Sequence, residues 1–212
     1  MAGYWEGEDK KKILILGIGN ILWADEGFGV RVVEYLAQHY DFPPQVGVLD
    51  GGTQGLYLMS YLENLDTLII VDAIDFGLPP ATVHSVSGDD VPKTMGARKV
   101  SLHQTGFQEV LGLLDWRGCM PRSLHLVGVQ PVTMEDYGGG LTAEVAAQVP
   151  VVAKKVLAFL NSECSVMAIP KQEGTEVFGI PAIAREAYEL GRPSEEEACR
   201  YGDERFLVRL ER

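Results

Sequence analysis

The sequence predicts an α/β protein with three layers, in which a twisted, mixed but mostly parallel sheet of about five strands is flanked by helices on both faces. Apolar runs of strand length alternate with segments whose apolar residues recur every three or four positions, as on helices. The run at residues 13–16 is apolar throughout and those at 67–71 and 124–129 are nearly so, which is typical of strands buried on both faces. The link over residues 72–81 is too short for a helical crossover, so the strand after it is not expected to be a parallel neighbour.

In chain order, strands are predicted at residues 13–16, 46–49, 67–71, 82–86 and 124–129. A helix at 27–39 follows the first strand, with Asp25 as its N-cap. Thr53 and Thr142 are predicted to cap two later helices, and Pro150 is expected to bend or restart the last long one.

The chain of 212 residues fits one main domain, expected at residues 13–170. Residues 1–12 form a polar lead, and residues 171–212 form a charged extension with an amphipathic piece at 181–190 and a further helix start at Ser194. Two interpretations of the extension stay open. It is either an appendage packed on the domain or an arm that binds a partner.

A formal net charge of -12 and a pI near 4.7 argue against binding to a nucleic-acid backbone or to an anionic membrane surface. A neutral or basic protein partner fits that charge better. The three cysteines are far apart and form no CxxC pair, which suits a reducing compartment, so the cytoplasm is expected. Neither a signal peptide nor an apolar segment of spanning length is recognised, so no membrane insertion is expected.

The glycine loop after the first strand invites a dinucleotide-binding interpretation. Two features argue against it. Leu22 stands where the fingerprint has its third glycine, and Asp25 and Glu26 occupy the helix start where a pyrophosphate would bind. The glycines alone would explain a tight turn, but they leave the two acids unexplained.

Three residues are candidates for a site because each follows a strand or begins a helix at one edge of the predicted sheet: Glu26, Asp72 and His103. Asp72 directly follows an apolar strand, at the rim of the sheet where solvent and ligands meet, and Asp50 and Asp75 lie at comparable positions. Two carboxylates and one imidazole suit a borderline divalent ion such as zinc or nickel. The same groups also suit metal-free acid and base chemistry, and spacing alone does not decide between the two.

Five motifs together resemble those of the maturation endopeptidases of nickel-iron hydrogenases. They are Gly17-Ile18-Gly19-Asn20 with Asp25-Glu26-Gly27, Asp50-Gly51-Gly52-Thr53, Ile70-Val71-Asp72-Ala73, Ser101-x-His103-Gln104, and Val127-Gly128-Val129-Gln130-Pro131. The resemblance covers residues 13–170 in order. It implies that Glu26, Asp72 and His103 are catalytic, metal-site residues of an endopeptidase that removes a C-terminal extension from the hydrogenase large subunit after nickel insertion.

The resemblance also sets the expected cofactor and partner. The partner is the nickel-loaded large-subunit precursor, which supplies the nickel, and a further divalent metal such as zinc or cadmium is the expectation for the free protein. The segment Glu135-Asp136-Tyr137 is closest to that of members that serve uptake hydrogenases. A chaperone that holds the precursor or its metal without cutting is the alternative, and a nucleotide-dependent oxidoreductase comes third.

Overall fold

The computed structural model describes residues 12–97, 102–172, 179 and 181–191, without the side chains of residues 97, 102–105, 182, 186, 189 and 190. The predicted polar lead, apart from Lys12, and the helix start predicted at Ser194 lie outside the described residues.

The described strands form a five-stranded sheet and a separate two-stranded one. In chain order they are β1 Ile13–Ile18, β2 Tyr40–Asp41, β3 Val46–Gly52, β4 Thr67–Ala73, β5 Val83–Ser87, β6 Ser123–Val129 and β7 Ile169–Pro170. The larger sheet has the order β3-β1-β4-β6-β5, with β1, β3, β4 and β6 parallel and β5 antiparallel to β6. The mixed sheet is confirmed.

Seven α-helices are described: α1 Phe28–His39, α2 Met59–Leu62, α3 Asp90–Ala97, α4 Leu102–Trp116, α5 Ala143–Ala146, α6 Val149–Cys164 and α7 Arg185–Leu190. Three short 3-10 turns, Ala24–Gly27, Gly55–Leu58 and Pro181–Ile183, precede α1, α2 and α7. Pro150 lies in the first turn of α6, which starts anew after α5, so this proline restarts the helix.

Helices cover both faces of the sheet, as predicted. Side chains on opposite faces of β1 alternate between two apolar clusters. Ile13 and Ile15 pack with α1 and α6, whereas Leu14 and Leu16 belong to the cluster that includes α3 and α4. The apolar runs at β1 and β4 are therefore continuous because both faces are buried.

Neither Thr53 nor Thr142 makes the side-chain cap that the sequence predicted. The 3-10 turn that begins at Gly55 is preceded by Gln54, so Thr53 is one position too early. Thr142 does occupy the N-cap position of α5, but its side chain makes no capping hydrogen bond. Its hydroxyl binds Asp25 instead.

The extension contacts the domain where it is described. Strand β7, at the end of the domain, pairs with β2, and the ammonium of Lys171, the first residue of the extension, donates to the carbonyl oxygen of Ala37 over 2.7 Å. Further along, Arg31 of α1 donates to the carbonyl oxygen of Ile183 over 2.8 Å, and its guanidinium lies 5.8 Å from the ring centroid of Tyr188. Residues 181–191 thus lie against α1, in keeping with the appendage interpretation.

Candidate active site

The turn after β1 is built so that Glu26 comes close to the sheet. Gly19 has φ +139°, and a Cβ there would overlap the carbonyl oxygen of Glu26. A Cβ on Gly29 would likewise overlap the carbonyl oxygens of Ile18 and Val71. The absence of side chains at these positions lets the 3-10 turn and the start of α1 lie directly on the ends of β1 and β4. Glu26 is half-buried there.

Asp72 is the next-to-last residue of β4 and lies beside Gly128 of β6. The sequence placed it at the rim of the sheet in contact with solvent, but its side chain is completely buried. The backbone N–H of Ala73 donates to its Oδ1 over 2.8 Å. The 3-10 turn that carries Glu26 packs against this same strand.

His103 is the second residue of α4, which begins at Leu102, so the histidine lies within the first turn of the helix. Its side chain lies outside the described part of the structure, but its place in the fold follows from the backbone. The link from α4 to β6 lies at the edge where the parallel strands begin, because Ser123 donates its N–H to the carbonyl oxygen of Asp66, just before β4. The 15 residues of α4 span about 22 Å, close to the length of β6, so the helix recrosses the sheet. The first turn of α4 therefore lies at the carboxyl edge, where Glu26 and Asp72 are.

Asp25 is not the N-cap of α1. That position belongs to Gly27, and the helix has no side-chain cap. Asp25 is completely buried, and its carboxylate accepts hydrogen bonds from the backbone N–H groups of Val132 at 2.9 Å, Thr133 at 3.1 Å and Thr142 at 2.8 Å. The hydroxyl of Thr142 donates to it as well. Asp25 thus fastens the segment of residues 130–142 to the turn that carries Glu26.

Gln130 has a comparable part in the link between β4 and β5. Its Oε1 accepts from the backbone N–H groups of Phe76 at 2.8 Å and Leu78 at 3.2 Å, and its Nε2 donates to Asp75 over 3.0 Å. Neither Gln130 nor Asp25 was singled out for this role from sequence. The sequence offers one signal for such a role, which is a polar residue that stands next to apolar residues and has no hydrogen-bond partner nearby in the sequence.

The two acids at positions comparable to that of Asp72, Asp50 and Asp75, have structural roles. Asp75 accepts from the N–H of Gly77 as well as from Gln130. Asp50, near the end of β3, accepts from the N–H of Gly52 over 2.9 Å. Burial raises the pKa of the Asp50 carboxyl, and the Gly52 hydrogen bond and the nearby Arg31 charge oppose that rise.

The other three histidines lie at a helix end and on two strands of the sheet. His39 is the last residue of α1 and binds the carbonyl oxygen of Tyr35, whereas His84 lies on β5. His125 on β6 bonds to the hydroxyl of Ser87 at 2.7 Å and stacks on Phe159. Burial lowers the pKa of His125, which favours its neutral form.

The carboxyl edge of the sheet therefore brings together two carboxylates and the backbone position of one histidine. Among the described side chains, to which that of His103 does not belong, no three histidine, cysteine, aspartate or glutamate residues form a cluster suited to a metal. A carboxylate held in a half-buried turn beside a second, completely buried one is suited to binding a cation or to taking a proton from water.

A sequence model of the hydrogenase maturation protease family matches residues 30–159. The chain belongs to this family. It is 52% identical over 196 residues to the hydrogenase expression/formation protein HupM of Azotobacter chroococcum mcd 1, an overlap that covers 92% of this chain and 93% of the relative. It is 49% identical over 200 residues to HupD of Rhodobacter capsulatus, covering 93% of each.

Among solved structures, the hydrogenase maturating endopeptidase HybD of Escherichia coli is 43% identical to this chain, with a TM-score of 0.72. The match covers 77% of this chain and 99% of that structure. Members of the hydrogenase maturation protease family are endopeptidases, so the expected fold and enzyme class are both confirmed. Among the described residues, no helix is long and apolar enough to cross a bilayer.

Proposed function

We propose that this hydrogenase maturation protease removes the C-terminal extension of a nickel-iron hydrogenase large subunit after nickel has been inserted. Glu26, Asp72 and His103 engage the nickel that the precursor holds, so that the metal both identifies the nickel-loaded precursor as substrate and positions the scissile peptide. One observation supports this most strongly. The turn of Glu26, the buried Asp72 and the first turn of α4 converge on the carboxyl edge of the sheet.

The residues have distinct tasks in this proposal. The Gly19 and Gly29 contacts fix the height of Glu26 above β4, and burial of Asp72 keeps water from competing for its carboxylate. The chemistry that remains is the addition of water to the peptide carbonyl. The water is activated either by the substrate metal or by one of the two carboxylates, the latter corresponding to an aspartic-type endopeptidase.

Mass spectrometry of the precursor tests the proposal directly. Purified protein mixed with nickel-loaded precursor is expected to shorten it by the mass of the extension and to leave the nickel-free precursor intact. Efficient cleavage of the nickel-free form would overturn recognition through the metal. Binding without any change of mass would favour the chaperone.

Three substitutions test the site, each with a matched control. Glu26→Gln, Asp72→Asn and His103→Ala are each expected to lower the cleavage rate at least 100-fold, as loss of a group that acts in acid–base chemistry does. The controls are Glu109→Gln and Asp115→Asn on the exposed side of α4, and His39→Ala at the end of α1. Wild-type cleavage rates in the three site variants would show that the site lies elsewhere.

Three further expectations belong to the proposal. The functional domain spans residues 13–170, and the extension supports α1. The protein works in the cytoplasm, which fits the free thiols of Cys119 and Cys164. The same two carboxylates and imidazole suit a divalent ion such as zinc or cadmium in the free protein, which native mass spectrometry of the wild type and of His103→Ala would detect.

A further inference from the structure

An exposed apolar surface lies next to the candidate site. It consists of four side chains, which we call the rim surface: Leu22, Trp23, Val132 and Tyr137. Their exposed fractions are 40%, 36%, 45% and 54%, which is high for large apolar residues. Isolated exposed apolar residues are common in proteins, whereas a group of them beside a candidate site indicates a binding surface.

Backbone hydrogen bonds hold the rim surface together. Trp23 and Tyr137 form an isolated antiparallel bridge, and their rings meet edge to face with centroids 5.1 Å apart. Gly138 donates its N–H to the carbonyl oxygen of Leu22 over 2.7 Å. Val132 is attached through its N–H to the buried carboxylate of Asp25. The surface is thus assembled from two segments that are distant in sequence.

The rim surface is connected to Glu26 through a single turn of backbone. The N–H of Glu26 donates to the carbonyl oxygen of Trp23 over 2.9 Å within the 3-10 turn. A polypeptide that contacts Trp23 and Tyr137 would therefore pass close to the carboxylate proposed to meet the metal. Aromatic side chains in such positions commonly supply much of the binding free energy of an interface.

The charges around this edge indicate what kind of polypeptide binds. Four described segments connect the end of a strand at the carboxyl edge with the next helix or strand: residues 19–27, 50–58, 72–82 and 130–142. Together they contain seven acidic residues and no lysine or arginine. Asp25 and Asp72 are completely buried, whereas the other five are at least partly exposed and can face a partner: Glu26, Asp50, Asp75, Glu135 and Asp136. Arg98 and Lys99 lie in the segment outside the described residues and are not part of that count.

We infer that the rim surface binds a segment of the precursor that carries both apolar side chains and lysine or arginine. The apolar side chains lie on Trp23 and Tyr137, and the cations face the acidic segments. This inference rests on the proposed function for the identity of the partner. It adds the surface that selects the precursor, which is separate from the groups that engage its metal.

Steady-state cleavage of nickel-loaded precursor tests the inference. Tyr137→Ser and Trp23→Ala are expected to raise KM at least tenfold while kcat changes less than twofold, because the variants lose binding and not chemistry. Tyr137→Leu, which keeps an apolar side chain, should recover most of the loss. Trp116→Ala is the matched control, since Trp116 is 82% exposed at the far end of α4. Circular dichroism of each variant checks the fold.

Binding is measured separately, so that failure of the inference differs from failure of the proposed function. In calorimetry, the double variant Glu26→Gln/Tyr137→Ser should bind the nickel-loaded precursor more weakly than the single variant Glu26→Gln. Binding of the precursor by Glu26→Gln should also weaken as the salt concentration rises from about 0.05 M to 0.3 M, because screening affects exposed charge pairs. Unchanged KM and affinity in Tyr137→Ser and Trp23→Ala would overturn the rim surface even if the wild type cleaves. Binding that does not depend on salt would overturn the basic character of the partner.

Discussion

Replacing Asp25 by asparagine removes one acceptor from a buried carboxylate that receives four donors. The side chain has the same size, so the change is one of hydrogen bonding. In one orientation, the new NH2 group faces the N–H groups of Val132 and Thr133, and in the other it faces Thr142. At least one buried backbone N–H therefore loses its acceptor whichever way the amide turns.

The cost can be worked out from these contacts. A buried donor without an acceptor costs about 1–3 kcal/mol, and hydrogen bonds to a charged acceptor exceed neutral ones by about 1 kcal/mol each. With one N–H lost and two bonds weakened, Asp25→Asn should lower the free energy of unfolding by about 3–5 kcal/mol. Thr142→Val, which removes only the hydroxyl donor, should cost about 1 kcal/mol.

Urea unfolding gives the global cost, and amide hydrogen exchange locates it. In Asp25→Asn, exchange should accelerate at Val132, Thr133 and Thr142, and also at Gly138 and Gly139, whose N–H groups hold the same segment. The N–H groups in the middle of β4 should exchange with rates that reflect only the global loss. Equal unfolding free energies for Asp25→Asn and wild type, with no local acceleration, would refute a fastening role for this carboxylate.

Two further predictions concern packing and pH. Gly19→Ala should both destabilise the fold and lower the cleavage rate, because its Cβ would overlap the carbonyl oxygen of Glu26. Gly112→Ala on the exposed side of α4 is the control, and it should be neutral or stabilising because nothing lies within 4 Å of its Cβ. Burial lowers the pKa of His125, so the unfolded chain binds more protons than the folded one as pH falls below about 6.5, the ordinary pKa of histidine. Unfolding free energy should therefore fall as pH drops through that window, and His125→Phe should reduce the dependence.

The measurements for these two predictions are chemical denaturation and cleavage rates. Equal stability of Gly19→Ala and Gly112→Ala would show that the Gly19 contact is easily relieved. For His125, denaturation at about pH 7.5 and pH 5.5 compares the two proteins, with the groups near it, Glu163 and Lys155, left unchanged. A wild-type curve with the same slope as that of His125→Phe would contradict the assignment.

Local pattern was sufficient to predict the sheet and most of its helices. The short proline-containing link before β5 excluded a helical crossover, and the structure confirms the antiparallel strand. The burial of both faces of the sheet was predicted from the continuous apolar runs in β1 and β4. These features depend on neighbours in sequence, which is why the sequence alone reveals them.

Asp25 was misassigned because its partners lie more than 100 positions away. A short acidic side chain before a helix satisfies the N-cap pattern whether or not it caps. Asp72 was expected to meet solvent because strand ends usually do, but the Glu26 turn and α1 cover it in the fold. Only the three-dimensional packing distinguishes these outcomes.

The attachment at Asp25 has a consequence for how members of this family can diverge. Three of the four hydrogen-bond donors to the Asp25 carboxylate are peptide N–H groups. The attachment therefore depends on the path of the backbone and scarcely on which side chains the segment carries. The outward residues of that segment, including Val132 and Tyr137, are therefore free to change while the turn beneath them keeps its shape. On the proposed role of the rim surface, exchanging this stretch of chain between relatives is expected to alter substrate preference while Glu26, Asp72 and His103 stay unchanged.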